Sequence, residues 1–443
     1  MPRTTLLQRL EDIRPIKIHG RVCRAVGLTI EGTGPVSSVG QCCQIVSPAG
    51  HCVEAEVVGF RDDRVLVMPL GEVRGIGPGS RLVYQPDNPQ VRVGSGLLGR
   101  VLDGLGNPLD GKGPVPTTDS YPLYSPSLNP LDRARITQPL DLGVRAINGL
   151  LTCGRGQKVG IFAGSGVGKS VLLGMMCRQT AADVTVLALI GERGREVKEF
   201  IEKELGEEGL KRTVVIAATS DQPPLVRLRG AFIATAIAEY FRDQGRDVLL
   251  LMDSLTRVGH AQREVGLAVG EPPTSKGYPP SVFTVLPRLL ERVGPTMTGS
   301  LTGLYTVLVE GDDLSDPVAD FVRAILDGHI VLSRELASRG HFPAIDVLQS
   351  VSRVMPDISE SSHLTSARAL MELMSLYRNA EDLINLGAYR SGSNPRLDLA
   401  VSMMDPITQF LRQGISENAD LATSLQEVEQ LVAQAQEHVG QKT

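Results

Sequence analysis

The clearest chemistry in the sequence lies in Val159–Ser170, which reads VGIFAGSGVGKS. An apolar run long enough for a buried strand leads into a glycine-rich turn, and Lys-Ser then opens a segment suited to a helix. Backbone N–H groups of such a turn surround phosphate oxygens, the lysine reaches the β- and γ-phosphates, and the hydroxyl ligates Mg²⁺. The pattern predicts a P-loop with these nucleotide-binding residues: Gly164, Ser165, Gly166, Val167, Gly168, Lys169, Ser170 and Val171.

One position departs from the usual P-loop pattern, because Ala163 stands where the motif begins with glycine. That position makes the turn and does not touch phosphate, so we expect nucleotide binding to be kept. The alternative is a glycine-rich turn that binds nothing. The order of strand, loop, Lys-Ser pair and helix favours the P-loop.

Two further apolar strands run into acidic residues. The strand Val248–Met252 is followed by Asp253, an arrangement that holds Mg²⁺ opposite the P-loop hydroxyl of Ser170, usually through a water. The strand Val184–Ile190 runs into Glu192, and hydrolysis of a γ-phosphate needs a carboxylate that orients and polarises water. We therefore predict that Glu192 is the catalytic base. The alternative is an acid that only stabilises the start of the following helix.

Positive charge is also needed around the transferring phosphoryl group. Arg193 beside Glu192 and Arg257 shortly after Asp253 are candidates for this role. Arg353 cannot be judged by spacing. Because single arginines are usually solvated at the surface, the residues alone leave all three assignments open.

Strands and helices alternate beyond the P-loop, which predicts an α/β fold with right-handed βαβ units and a mainly parallel sheet. Ligands of such sheets bind at the carboxyl ends of the strands, where the acids above lie. The predicted elements are the strands Val184–Ile190, Thr213–Ala218 and Val248–Met252 and the helices Arg195–Leu205 and Leu225–Gln244.

The region before the P-loop is rich in short β-runs from Gly20 to about Asn88, which predicts a small closed barrel. Sparse aromatic residues favour a structural or oligomer-rim role over oligonucleotide binding. A Gly/Pro/Asp-rich connector from Val91 to Pro130 is predicted to form turns rather than core. The predicted strands are Val22–Ile30, Gln44–Val46, Val53–Phe60, Arg64–Pro69 and Leu82–Tyr84.

Both ends of the chain read as helical. Thr5–Ile13 has apolar residues at helical spacing, and it either packs on its own domain or docks on a partner. The C-terminal part carries two apolar stripes, and such stripes usually face a core: Leu370, Leu373, Met374 and Tyr377, then Leu421, Leu425, Val428, Leu431 and Val432. We predict a helical segment at 1–19, a β-barrel domain at 20–90, a P-loop ATPase core at 91–358 and a helical C-terminal domain at 359–443.

Composition argues against several classes of protein. The 443 residues carry a net charge of −5 and no tryptophan, which disfavours a nucleic-acid groove. The sequence lacks an apolar stretch of membrane-spanning length and a secretory signal pattern, so we expect a cytoplasmic protein. The six cysteines lack zinc spacing, which predicts reduced and mostly buried thiols.

Several stretches together resemble the ATPases of bacterial type III export, most of all the flagellar export ATPases, and more distantly the subunits of rotary ATP synthases. The resemblance covers nearly the whole chain, and it implies a RecA-like P-loop core between a β-barrel domain and a helical C-terminal domain. The stretches are AGSGVGKS (163–170), GERGREVKEF (191–200), ATSDQPP (218–224), LLLMDSLTR (249–257), AVGEPPTSKGYPPSVF (268–283) and HFPAIDVLQSVSRVMPDI (341–358).

The resemblance implies roles for individual residues, with ATP and Mg²⁺ as substrate and cofactor. Lys169 and Ser170 match the family's P-loop lysine and Mg²⁺-binding hydroxyl, Glu192 its catalytic glutamate, and Asp253 its second magnesium-site acid. Arg193 and Arg257 match arginines that face the γ-phosphate.

Two further assignments follow from the resemblance. Arg353 would be an arginine finger that reaches the neighbouring subunit's site, which requires the family's ring of six. Phe342 stands where relatives place an aromatic ring against adenine, and core packing is the alternative.

The resemblance also implies partners and a location. The loop Gly266–Pro280 would face the central channel and contact a stalk protein, or it is simply a turn-rich loop. Other implied partners are a regulator, chaperone–substrate complexes and the membrane-embedded export gate. The protein would then dock at the cytoplasmic face of the export apparatus and meet the membrane only peripherally.

The function expected from these observations is ATP hydrolysis that energises flagellar type III protein export by a homohexamer. The alternatives are a catalytic subunit of a rotary ATP synthase and an ATPase of an injectisome. A non-enzymatic nucleotide-binding scaffold is disfavoured by Glu192, which non-catalytic relatives lack. A ring-shaped RNA helicase is more remote, because the chain is acidic and its barrel has few aromatic residues.

Overall fold

The computed structural model describes residues 19–35, 37–85, 89–309 and 316–440. The helix predicted at Thr5–Ile13 lies outside the described residues. No helix in the described ranges is long and apolar enough to cross a membrane.

The N-terminal part forms a closed barrel of six antiparallel strands in the order β1-β2-β5-β4-β3-β6. Its interior is filled by alternate residues of the strands, including Ile45, Val57 and Leu82, which are completely buried. The predicted small barrel is confirmed. The strands are β1 Gly20–Val26, β2 Thr29–Thr33, β3 Cys42–Val46, β4 Cys52–Arg61, β5 Arg64–Pro69 and β6 Arg81–Tyr84.

The first predicted strand, Val22–Ile30, is wrong as a single element. The chain turns back at Gly27, whose φ of 57° lies in the left-handed region that favours glycine, and β1 and β2 then pair as a hairpin. The turn was not predicted, because the residues on both sides of it belong to strands and resemble one continuous β-run.

The connector is also more ordered than its composition predicts. It contains β7 Gln90–Val93, β8 Val101–Asp103 and β9 Asp119–Pro122. Strand β8 adds a parallel edge to the central sheet, and Leu102 is 1% exposed within the main core. The prediction of turns rather than core is therefore wrong here, because two or three apolar residues between glycines suffice for an edge strand.

The centre of the molecule is a mixed sheet of nine strands in the order β17-β16-β10-β15-β13-β11-β12-β8, with β14 paired to β15. All pairs are parallel except those of β14 and β17, so the predicted mainly parallel α/β sheet is confirmed. The remaining strands are β10 Lys158–Ala163, β11 Val184–Ile190, β12 Thr213–Ala218, β13 Asp247–Asp253, β14 Gly294–Pro295, β15 Ser300–Leu308, β16 Gly328–Leu332 and β17 Ile345–Ser352.

Every residue of β10, β11 and β12 is buried, because helices cover both faces of the sheet. The helices are α1 Arg145–Leu150, α2 Lys169–Gln179, α3 Gly194–Glu199, α4 Gly206–Lys211, α5 Pro224–Asp243, α6 Leu255–Val269, α7 Pro280–Leu290, α8 Pro317–Ile325, α9 Arg334–Ser338, α10 Met355–Ile358, α11 Ser361–Asn385, α12 Pro395–Leu411 and α13 Leu421–Gly440. The helix predicted at Arg195–Leu205 is α3 followed by a π-helical turn, Phe200–Leu205.

The C-terminal helices α11, α12 and α13 share one hydrophobic cluster with the P-loop helix α2 and with α1. At Gly149 of α1, a Cβ atom would lie 2.9 Å from the ring of Phe410 and 3.0 Å from Val428. Leu370 and Val428 from the two predicted stripes are completely buried. The C-terminal helices therefore form a continuous core with the nucleotide-binding part.

All six cysteines are unpaired. Cys43, Cys153 and Cys177 are buried, and burial raises the pKa of each of these thiols to about 12. Cys52 is exposed, so the expectation of mostly buried thiols holds for half of them.

Candidate active site

The P-loop connects the buried strand β10 to the helix α2. Gly166 and Gly168 have φ angles of 78° and 88°, a backbone region that favours glycine, and Gly168 precedes the first residue of α2. Val167 is buried, whereas Ser165, Gly166 and Ser170 are exposed. The loop therefore presents its backbone and the Ser170 hydroxyl to solvent at the positive end of a helix.

Lys169 joins the P-loop to two other strand ends. Its Nζ lies 2.5 Å from Asp253 Oδ1 and 3.6 Å from Glu192 Oε1. Asp253 is the last residue of β13, and Glu192 follows the neighbouring strand β11. The three charged residues predicted from separate motifs thus meet at the carboxyl edge of one sheet.

This cluster shifts the protonation of its members. Burial alone would lower the pKa of Lys169, but the carboxylates of Asp253 and Glu192 outweigh it and raise the pKa above the ordinary lysine value. For Glu192, burial first and repulsion by Asp253 second raise the pKa to about 7, although Lys169 partly opposes this. A carboxyl group that titrates near neutral pH is suited to taking a proton from water.

We expect Glu192→Gln to change how stability depends on pH. The folded parent binds the Glu192 proton more tightly than the unfolded chain, where the pKa is near 4.5, so its free energy of unfolding falls as the pH rises towards 7. Glutamine carries no such proton, and the variant should gain stability over the parent between about pH 5 and pH 8. The gain should be on the order of 1 kcal/mol, because water screens part of the repulsion.

Denaturant unfolding of both proteins without nucleotide at the two pH values measures this gain. An equal difference at both pH values would contradict a raised pKa of Glu192.

The two predicted same-chain arginines line the cleft above this cluster. Arg257, in the first turn of α6, packs its side chain against Gly191, where a Cβ would lie 2.8 Å from the Cβ of Arg257. Gly191 has a φ of 74°, so both the space and the backbone require glycine there. The side chain of Arg193 is 76% exposed and lies 3.7 Å from Glu196.

The cleft has a volume of about 1150 Å³ and is lined by residues of the P-loop, α3 and α6. Its charged lining includes more cations than carboxylates, which suits a polyphosphate. The cations are Lys169, Arg193, Arg257, Arg263, Lys276 and Arg334, and the carboxylates are Glu192, Glu196 and Asp316.

Sequence reasoning missed some residues of this cleft. His260 lies one turn beyond Arg257 on α6 and contacts the hydroxyl of Tyr278 at 3.1 Å. The helical spacing from Arg257 could have identified His260. By contrast, Lys276, Tyr278 and Arg334 come from a loop and a helix that only the fold brings to the site.

Four predicted site residues do not line this cleft: Val167 and Asp253, which are buried, and Phe342 and Arg353. Phe342 is 45% exposed and lies against the P-loop, because a Cβ on Gly168 would be 3.5 Å from its ring. Phe342 lines a different cleft of about 920 Å³, which is formed mainly by residues of α12, α13 and the loop between them. Arg353 is exposed just beyond β17, the edge strand of the sheet, and its backbone N–H donates to Asp327.

Residues 143–352 match the ATP synthase alpha/beta family, nucleotide-binding domain, and residues 359–430 match the T3SS EscN ATPase C-terminal domain. A "Flagellum-specific ATP synthase" of Pseudomonas aeruginosa is 53% identical, over 98% of this chain and 99% of that protein. The protein of the same name from Bacillus subtilis is 53% identical over 96% of this chain and 98% of its own length.

Solved structures of EscN, an ATPase of the enteropathogenic E. coli type III secretion system, are similar over most of the chain. The assembled ATPase has a TM-score of 0.88 at 47% identity, covering 93% of this chain and all of that one. A complex of the assembled ATPase with its central stalk EscO gives 0.86 at 46% identity, with the same coverage. The P-loop site, the barrel and the helical C-terminal region therefore place this chain in the ATP synthase alpha/beta family, among the flagellum-specific and type III secretion ATPases.

Proposed function

We propose that the chain hydrolyses ATP to ADP and phosphate to energise flagellar type III protein export, and that it works as a homohexamer with active sites between subunits. The enzymatic part of this proposal is supported by one observation: Lys169 of the P-loop contacts both Glu192 and Asp253. The full-length similarity to flagellum-specific relatives supports the biological role.

The P-loop is the proposed binding site for the phosphates of the substrate. The backbone N–H groups of 164–168 and the start of α2 surround the phosphates, and Lys169 turns from Asp253 towards the β- and γ-phosphates. Phe342 is proposed to contact the adenine ring, and its proximity to Gly168 supports this role.

The site also fits Mg²⁺. Ser170 is exposed at the start of α2, and Asp253 ends the strand that faces Lys169. A hydroxyl and a carboxylate are hard oxygen donors of the kind that Mg²⁺ prefers, and bound Mg²⁺ would neutralise charge on the β- and γ-phosphates. Ser170 and Asp253 are the residues that would hold it.

Glu192 is the proposed general base. Its carboxylate lies beside the P-loop lysine, and with a pKa of about 7 it can orient a water and accept its proton at neutral pH. Arg193 and Arg257 reach into the same cleft and would stabilise the charge on the γ-phosphate.

Arg353 is proposed to complete the site of a neighbouring subunit. It lies at the edge of the sheet and away from its own P-loop cleft, as a residue acting on a neighbour must. The similarity to the assembled EscN supports a ring, and its complex with a central stalk supports a stalk partner for this chain.

The loop proposed to meet the stalk is shorter than its sequence predicts, because α6 extends to Val269. Lys276 and Tyr278 from this loop line the nucleotide cleft, so a stalk contact there would lie close to the substrate. A regulator, chaperone–substrate complexes and the export gate remain proposed partners, with docking at the cytoplasmic face of the export apparatus.

An injectisome ATPase is the second candidate. Residues 359–430 match the T3SS EscN ATPase C-terminal domain, and the fold of the chain is similar to the structure of EscN. The same C-terminal match disfavours a rotary synthase subunit. A chain that carries both Glu192 and Arg353 also favours a ring of identical subunits, since mixed rings divide these roles.

The test of the function is Mg²⁺-dependent ATP hydrolysis by the purified chain as its concentration rises, together with swimming motility of Bacillus subtilis whose own flagellum-specific enzyme is replaced by it. A cooperative rise in specific activity and restored motility are expected. Activity without motility would favour the injectisome role, and binding without activity at any concentration would favour a mixed ring.

We expect Arg353→Ala to keep ATP affinity within about threefold of the parent while turnover falls by about 10³-fold, the usual effect of losing an arginine finger. Mixing this variant with Lys169→Ala should restore part of the activity, since some interfaces then combine an intact P-loop with an intact Arg353. Steady-state ATPase assays across mixing ratios measure the recovery. If mixed rings form and no ratio recovers activity, Arg353 does not act on a neighbour.

A further inference from the structure

Strand β15 lies between the P-loop strand β10 and the Asp253 strand β13, and it carries a threonine at the level of the active site. Thr306 pairs with Ile161 of β10 and lies one position beyond the pair Met252–Tyr305 on the other side. Its side chain is completely buried. The register therefore fixes Thr306 beside Asp253.

The Thr306 hydroxyl has two acceptors within reach. Its Oγ1 lies 2.7 Å from Asp253 Oδ1 and 3.4 Å from the backbone oxygen of Met252. One hydroxyl proton serves one strong bond, and the shorter bond to a charged oxygen is the stronger. Thr306 therefore donates to the carboxylate.

Asp253 Oδ1 thus accepts from two donors, Thr306 and Lys169. We expect nucleotide binding to weaken one of these two hydrogen bonds and to leave the other in place. Lys169 is the group that contacts the phosphates, and its attraction to them weakens its bond to Asp253. Thr306 lies on β15 inside the sheet, and its uncharged hydroxyl is not attracted to the phosphates in this way.

We propose that Thr306 is a positioning residue for the Mg²⁺ site: its hydroxyl holds the Asp253 carboxylate in place while nucleotide draws Lys169 away. This rests on the proposed role of Asp253 at the metal. The hydroxyl keeps one carboxylate oxygen fixed, so the orientation in which Asp253 meets Mg²⁺ or its water survives the loss of the lysine. The competing explanation is a buried hydroxyl that merely satisfies its own hydrogen bond.

The test compares the full-length parent with Thr306→Val, which keeps the shape of the side chain and removes the hydroxyl, and with Thr306→Ser, which restores it. The readout is the affinity for a fluorescent ADP analogue with Mg²⁺ and with EDTA. In Thr306→Val, the affinity in EDTA should stay within about twofold. The gain from Mg²⁺ should shrink about tenfold, the effect of one hydrogen bond to a charged group. Thr306→Ser should recover most of the gain.

Thr302→Val is the matched control. Thr302 lies on the same strand, is 1% exposed, and accepts from the backbone N–H of Gly156 rather than contacting Asp253. This variant should lower the melting temperature and leave the gain from Mg²⁺ unchanged. A third variant, Asp253→Asn, should remove most of that gain.

The outcomes separate the two proposals. If Asp253→Asn loses the gain from Mg²⁺ and Thr306→Val keeps it, the positioning role of Thr306 is wrong and the metal role of Asp253 stands. If Asp253→Asn also keeps it, both are wrong. A Thr306→Val that loses the gain, with Thr302→Val unaffected, supports the positioning role.

Discussion

Replacing Lys169 with alanine should reduce the affinity for ATP by about 10²-fold or more, since the lysine makes charged contacts worth roughly 1.5–3 kcal/mol each to the phosphates. The structure adds a second reason. Without the ammonium, Asp253 and Glu192 lose the cation that lies 2.5 and 3.6 Å from them, and the site becomes repulsive to a polyanion. Titration of a fluorescent ATP analogue measures the loss.

The folding of Lys169→Ala has to be checked separately, because the side chain is largely buried between carboxylates. Far-ultraviolet circular dichroism and the melting temperature serve this purpose. Lys211→Ala is the control, since Lys211 forms an exposed pair with Glu208 and should be neutral. A folded Lys169→Ala that binds ATP like the parent would refute the P-loop assignment.

The second large effect is expected from Glu192→Gln, which should bind ATP and hydrolyse it 10²–10⁴-fold more slowly, the usual contribution of a general base. Glutamine keeps the shape of the side chain but cannot accept the proton of the attacking water. Affinity should not fall, because the variant removes a negative charge near the phosphates. Single-turnover hydrolysis and nucleotide titration on the same preparation separate the two properties.

Glu202→Gln is the control for this experiment. Glu202 lies in the π-helical turn that follows α3, where its side chain is 60% exposed beside Lys198. Its loss should leave both binding and hydrolysis at parental values. Hydrolysis by Glu192→Gln at the parental rate would mean that another group activates the water.

The sequence predicts the site residues that belong to a contiguous motif or that follow an apolar strand. The P-loop is a contiguous motif, and Glu192 and Asp253 each follow an apolar strand, so parallel pairing was enough to bring them to one edge. Thr306 has no such signal. Its contact with Asp253 depends on β15 lying between β10 and β13. Local sequence patterns do not determine the order of strands in a sheet, so this contact could not be predicted.

The fold was predictable to a similar extent. Long apolar runs identified β11 and β13 nearly to the residue. Strand β8 was missed because its few apolar residues lie among turn-forming ones, and their burial depends on the distant strand β12. The roles of Arg353 and Phe342 depend on neighbours, a second subunit for one and a bound base for the other, and they stay predictions.

The hydrophobic cluster shared by the P-loop helix and the C-terminal helices has a mechanical consequence. Protein interiors are packed as densely as organic crystals, so a displaced side chain moves its neighbours instead of being absorbed. Phe410 and Val428 pack on Gly149 of α1, and the same cluster includes Leu172 and Leu173 of α2. A substitution that changes the volume of this shared core should therefore shift side chains in the C-terminal helices and in the helix that begins at Lys169 together.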